Sequence, residues 1–394
     1  LIVRLIMAVS PLAFHLYREL CIFLKVKASV IGGLITRLRT CDRPGYVEQM
    51  AGGIDAPLQR TPQNPMPDPD WEIPLNLQPD PDDYGYDLDT ALRAVVQLRA
   101  SVPADAFTAE TLGTERVGSG VVIRAPGAPD NLVLTIGYLI TEAETVWLVG
   151  QDGRAVPGHA LAYDQVTGFG LVLALGKLNL PALELGDSEA LKLGATAVMA
   201  AGGGRARAVE TKVVGRQEFV GYWEYLLEEA IFTAPAHPFW SGAALIGPDG
   251  RLMGTGSLIL QQGDGRGQRA DMNMVVPIDL LRPILDKLLT TGSSGHPPRP
   301  WLGVFVMESS EGGMVVGGLA EGGPAEKAGL RAGDRVVGVG EEEITEVGQL
   351  WRAVWAAGSP GVAVKLVIQR DDATLTVRVT TSDRAKFLRT PRMH

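Results

Sequence analysis

With 394 residues the chain is long enough for two or three domains, each burying a core of its own. A formal charge of −9, with no basic stripe interleaved with aromatics, excludes a nucleic-acid binder. Two cysteines, Cys21 and Cys41, support neither a disulfide framework nor a cysteine zinc site, and no His/Asp/Glu grouping has metal-ligand spacing; no metal or cofactor is expected. The 48 glycines and 26 prolines point instead to many turns and a strand-rich fold.

Residues 1–65 form an N-terminal extension with a texture of its own. Positions 1–38 are apolar and basic, but Arg4, Arg18, Glu19, Lys25, Lys27 and Arg37 interrupt them. No uncharged run reaches the roughly 18–20 residues of a membrane span. A signal-peptide reading takes Arg4 as the basic start and 5–14 as the apolar core; Pro11 and the lack of an Ala-x-Ala site oppose it. An extension outside the folded unit, a membrane anchor or signal, and a partner-binding helix all stay open. Location follows from the true start: cytoplasmic if translation begins at Met66, periplasmic or membrane-anchored if residues 1–40 are genuine.

Residues 66–115 read as a linker and a helix. The proline and aspartate of 67–83 give an extended linker. Leu88, Leu92, Val95, Val96 and Leu98 predict an amphipathic helix over 87–99, capped by Asp87 or Asp89. From 116 to 290 short apolar runs alternate with Gly, Pro and Asp turns. Strands are expected at 118–123, 132–134, 145–148, 171–174, 197–200, 245–246 and 252–260, with hairpin signals at Asp152-Gly153 and Asp249-Gly250. Without regular strand–helix alternation this predicts a double β-barrel or a sandwich. A helix over 275–289, with Ile278, Leu281, Ile284 and Leu288 on one face, is expected to close it.

A Gly/Ser/Pro linker at 291–300 leads into 301–381. There a short helix and glycine stop after Pro324 precede a strand at 335–339. A second helix over 346–357 places Val347, Leu350, Trp351, Val354 and Trp355 on one stripe. Strands at 362–369 and 374–380 finish the unit.

The run His237-Pro238-Phe239-Trp240-Ser241-Gly242-Ala243-Ala244-Leu245 resembles the Asn-Pro-Gly-Asn-Ser-Gly-Gly-Pro-Leu of trypsin-like proteases of the HtrA/DegP type. The string from Gly322 to Asp334, of the kind Gly-x-Pro-Ala-x-x-Ala-Gly-Leu-x-x-Gly-Asp, resembles a circularly permuted bacterial PDZ domain. Over roughly 116–380 the resemblance implies a mainly β protein: a trypsin-like double β-barrel at 116–290, then an α+β PDZ domain at 301–381. Trimers formed near the protease N-terminus are also implied, hence a homo-oligomer.

The resemblance further implies where catalytic parts belong. Acyl transfer by serine needs a base, a group orienting that base, and N–H donors for the oxyanion. Ser241 keeps the nucleophile's position. Tyr138, in Leu134-Thr135-Ile136-Gly137-Tyr138, stands at the family's histidine; Gly168, in the stretch from Asp164 to Val172, stands at its aspartate. Phe239 replaces the glycine that frees the oxyanion-hole N–H. A phenol, with a reference pKa of about 10, is a poor base near neutrality. Among the histidines, His15 and His394 lie near the ends, His296 in a linker, His159 on a strand, and His237 four residues before Ser241.

The PDZ part keeps its pattern. Trp301, Leu302, Gly303 and Val304 match the loop whose N–H groups hold a peptide carboxylate, 304–306 the strand that pairs with the peptide, and 346–357 the groove wall. The expectation is an inactive protease homologue that binds peptide or protein C-termini as an adaptor or quality-control factor. The alternatives are an active serine endopeptidase or hydrolase using Ser241 with a non-standard base, and a structural subunit of an envelope assembly.

Overall fold

The computed structural model describes residues 2–6, 71–263, 269–309 and 313–389. The signal, anchor and partner-helix readings of 1–65 fall, apart from 2–6, outside the described residues; strand β1 (Ile2–Ile6) pairs with the later β13.

The first barrel contains β2 (Val95–Ser101), β3 (Glu115–Arg124), β4 (Leu132–Ile136), β5 (Thr145–Val149), β6 (Ala155–Tyr163) and β7 (Phe169–Ala174), with β8 (Leu183–Glu184) running parallel to β3. Its order β2-β5-β6-β7-β4-β3 closes because β2 also pairs with β3. Closure removes the exposed edges that an open sheet would offer. The alternation of Thr145–Val149 puts Val146 and Leu148 inside, and Gly153, at φ 75°, makes the turn into β6.

A second barrel follows the same plan. It uses β9 (Thr196–Ala200), β10 (Ala208–Gly221), β11 (Tyr225–Ala234), β12 (Ala244–Ile246), β13 (Leu252–Gly263) and β14 (Arg269–Pro277). The ring β13-β12-β9-β10-β11-β14 closes through β13–β14. Helix α1 (Leu88–Arg93) precedes β2, α2 (Ala109–Leu112) follows it, and α3 (Arg282–Thr291) ends the barrels.

The C-terminal domain is an open sheet, β15 (Val304–Glu308), β16 (Met314–Leu319), β17 (Arg335–Val339), β19 (Ala363–Arg370) and β20 (Ala373–Thr380), with β18 (Glu342–Glu343) beside β17. Helix α4 (Pro324–Lys327) and helix α5 (Val347–Ala356) cover it. Val347, Leu350, Trp351 and Val354 of α5 are buried at helical spacing.

Two sequence expectations need correction. The helix over 87–99 stops at Arg93, and Val95 and Val96 enter a strand instead. Asp87 does cap α1, accepting from Thr90 N at 2.9 Å, but the β-branched pair is fully buried and pairs with β3, and β5 joins the other side of the strand from Gln97 on, so sheet pairing overrides helical spacing. The first barrel therefore begins before residue 116. Likewise 275–277 belong to β14, and the closing helix starts only at Arg282, with Pro283 in its first turn.

A buried polar network fixes the end of the first barrel that carries Tyr138. Arg116, 4% exposed, donates to Tyr138 O at 2.7 Å, to Thr141 O at 2.8 Å and to Thr108 Oγ1 at 2.8 Å. The Thr108 hydroxyl donates onward to Glu142 at 2.6 Å. Removing one charge from such a network strands its partners in the interior. Arg116→Met is expected to lower unfolding free energy by about 3 kcal/mol or more, read as a shifted denaturant midpoint; a midpoint near wild type would show that this network carries no stability.

Candidate functional site

The turn after β4 and the loop before β12 bring two of the expected residues together. Tyr138 Oη lies 2.9 Å from Ser241 Oγ and 2.8 Å from the carbonyl of Ser257. One phenolic proton cannot serve both, and a carbonyl can only accept. The phenol therefore donates to Ser257 O, and the Ser241 hydroxyl donates to the phenol oxygen. Burial raises the phenol's pKa well above its ordinary value. A neutral phenol oxygen, already a donor elsewhere, takes no proton from serine.

Gly168 adjoins this pair through the backbone, since Gly137 N donates to Gly168 O at 2.6 Å. It supplies no carboxylate. At φ +86° it occupies the left-handed region, and a Cβ built there would lie 3.1 Å from Tyr225 Oη. That hydroxyl donates to Thr167 O at 2.7 Å. Nearby Asp164 spends one carboxylate oxygen on Thr167, accepting from its N at 2.8 Å and its Oγ1 at 2.7 Å.

Phe239 N–H, expected at an oxyanion-hole position, donates to His237 Nδ1 at 3.0 Å. The other ring nitrogen of His237 lies 3.0 Å from Arg207 O and, as the remaining N–H, donates to it. Both nitrogens are thus engaged away from Ser241. Burial pushes the imidazole pKa down to about 4, against the two backbone contacts that raise it, so the ring is neutral. Trp71 covers this loop: its ring lies 4.0 Å from Phe239, edge-on to His237 at 5.9 Å, with the Arg207 guanidinium 5.0 Å from its centroid. The linker expected over 67–83 hid that contact, because a single tryptophan among prolines and acids carries no periodic signal.

The second site is the groove between β15 and α5. Gly303, at φ +77°, lets the Trp301–Val304 loop turn its amides inward; a Cβ there would lie 3.1 Å from the Trp301 ring. The Gly-x-Pro-Ala string supports the loop from behind, with Ala325 N donating to Leu302 O at 2.8 Å and Ala320 N to Gly303 O at 2.9 Å. These amides meet a carboxylate of the chain itself. Glu224, between β10 and β11, accepts from Leu302 N at 3.0 Å, Gly303 N at 2.7 Å and Val304 N at 3.3 Å. Burial raises its carboxyl pKa to about 7, while those N–H groups and Arg384 pull the other way. Trp351 is fully buried and donates to Gly221 O at 2.9 Å, whereas Trp355 lies half-exposed beneath Arg299, 3.9 Å away. Nothing local in the sequence marks Glu224 for this role.

Comparison with known proteins agrees with this architecture. The model of the trypsin-like peptidase domain matches residues 118–254, and that of the PDZ domain matches 300–381. A probable periplasmic serine endoprotease DegP-like of Halomonas elongata is 27% identical over 279 residues, covering 68% of this chain and 56% of its own length. The serine protease Do-like HtrA of Bacillus subtilis is 24% identical over 328 residues, covering 75% and 71%. A solved structure of the HtrA-type protease AlgW with a decapeptide aligns with a TM-score of 0.45 at 21% identity, over 77% of this chain and 98% of that one. The chain thus spans little more than half the length of the Halomonas relative. It is an HtrA-type protein, a trypsin-like peptidase domain followed by a PDZ domain.

Proposed function

We propose that this protein is a non-catalytic HtrA-type homologue that recognises peptide or protein C-termini through its PDZ domain, as an adaptor or quality-control factor. One observation carries the reading. The Ser241 hydroxyl ends on a buried phenol that itself donates to Ser257 O, where a peptidase needs an imidazole backed by a carboxylate. The Phe239 N–H is spent on His237, so one donor for the oxyanion is lost as well. The relatives are named a probable serine endoprotease and a serine protease, which favours turnover through Ser241 and an unusual base. Against it, among the described residues the one side chain hydrogen-bonded to Ser241 Oγ is the Tyr138 phenol.

Two measurements test this. A fluorophosphonate probe is expected to leave Ser241 unlabelled in the full chain, with casein and peptides uncut; labelling or turnover that vanishes in Ser241→Ala overturns the proposal. Tyr138→Phe removes the phenol and leaves the Ser257 carbonyl unpaired. It is expected to cost about 1–3 kcal/mol of stability with no change in peptide turnover. A hydrolytic rate that falls with this substitution would give the phenol a catalytic role.

A further inference from the structure

The hairpin β10–β11 reaches out of the second barrel and lies in the PDZ groove as a peptide would. Val306 N, on the open edge of β15, donates to Tyr222 O at 2.9 Å. Two residues further on, the Glu224 carboxylate rests on the N–H groups of Leu302, Gly303 and Val304. An added C-terminal strand requires that same combination: a carboxylate on the loop amides and an upstream carbonyl paired with the strand. Further contacts hold the hairpin against α5. The Trp351 indole donates to Gly221 O at 2.9 Å, and Arg352 pairs with Glu218 and with Glu228, the latter at 2.7 Å.

We propose that residues 221–224 are an internal PDZ ligand, in which the side-chain carboxylate of Glu224 stands in for a terminal carboxylate, so that an external C-terminus binds only once the hairpin leaves. The inference rests on the C-terminus-binding reading above and adds its regulation. Because the internal ligand is tethered, it competes at high effective concentration. The apparent affinity for an outside peptide is therefore reduced by the fraction of molecules whose groove is open.

The test uses the full chain and two variants, Glu224→Ala and Arg352→Glu, the second loosening the hairpin without touching the carboxylate loop. Binding is measured to a peptide library randomised in its last four residues, with free C-termini and, separately, amidated. Both variants are expected to bind the free library on the order of tenfold or more tighter than wild type, and none to bind the amidated one. Hydrogen exchange supplies a readout that needs no ligand: the amides of Leu302, Gly303 and Val304 should be protected in wild type and lose protection in Glu224→Ala. Lost protection without binding to any free C-terminus would leave the internal contact standing and sink the binding function. Unchanged protection, or equal affinity in wild type and both variants, overturns the internal ligand.

The contact also predicts a pH dependence. The docked Glu224 carboxyl keeps its proton up to about pH 7, whereas a released one loses it at the usual carboxylate value of about 4.3. Raising pH from about 4 to about 7 therefore progressively favours the released hairpin and has no further effect above that, with Arg384 the cation facing the group and opposing that release. Wild-type affinity for the free library is expected to rise over this range, and that rise should disappear in Glu224→Ala; a flat wild-type profile counts against the proposal.

Discussion

The burial of one carboxylate sets the relation between the barrels and the PDZ domain. Glu224 is 6% exposed, and a carboxylate in that position is tolerable only where several donors converge on it. The Trp301–Val304 loop is such a place, and it obliges the β10–β11 hairpin to extend across the domain boundary. A second attachment is made by the segment that follows β20, against the same loop. Phe387 packs between Trp301 and Phe107, Arg389 pairs with Asp105, and Arg389 N donates to Glu142 at 3.0 Å. Glu142 belongs to the network that, through Thr108 and Arg116, holds the carbonyl of Tyr138. The PDZ domain is thus fastened both to the hairpin that fills its groove and to the loop that carries the phenol.

Around Ser241 the chain retains a backbone suited to present a serine. Gly242 sits at φ +73°, and a Cβ there would lie 2.0 Å from Ser119 O, so the loop has room only for glycine. What surrounds the serine is a set of structural hydrogen bonds. Among the described residues, Tyr138 is hydrogen-bonded to Ser257, His237 to Arg207 and Phe239, and Asp164 to Thr167. Groups held this way are satisfied in the interior, which favours a single well-ordered arrangement around the serine.

The sequence makes the barrels legible wherever alternation or a short apolar run is bounded by a turn signal, as at Thr145–Val149 before Gly153 or Ala244–Ile246 before Gly250. It misleads at Val95 and Val96, whose spacing after Leu88 and Leu92 suits a helix and a strand equally; only the flanking strands decide. It is silent on β10, β11 and β14, where glycine and charged residues dilute the period and long bulged strands shift it. The same division runs through the sites. Tyr138 and Ser241 stand out because each lies in a local motif. Glu224 does not, because its partners lie 78 to 80 residues away in the sequence and its role exists only once both domains are folded.

The internal contact has features that make it displaceable. Glu224 adopts φ +60°, a conformation that costs a non-glycine residue about 1–3 kcal/mol. Its carboxylate is also buried at the end of a side chain whose rotamers are frozen. A peptide C-terminus offers the same loop a carboxylate carried directly on an extended backbone, with neither penalty. An external ligand therefore need not outmatch the hairpin contact for contact; it has to overcome the tether's effective concentration, and the strain within the tether lowers that threshold.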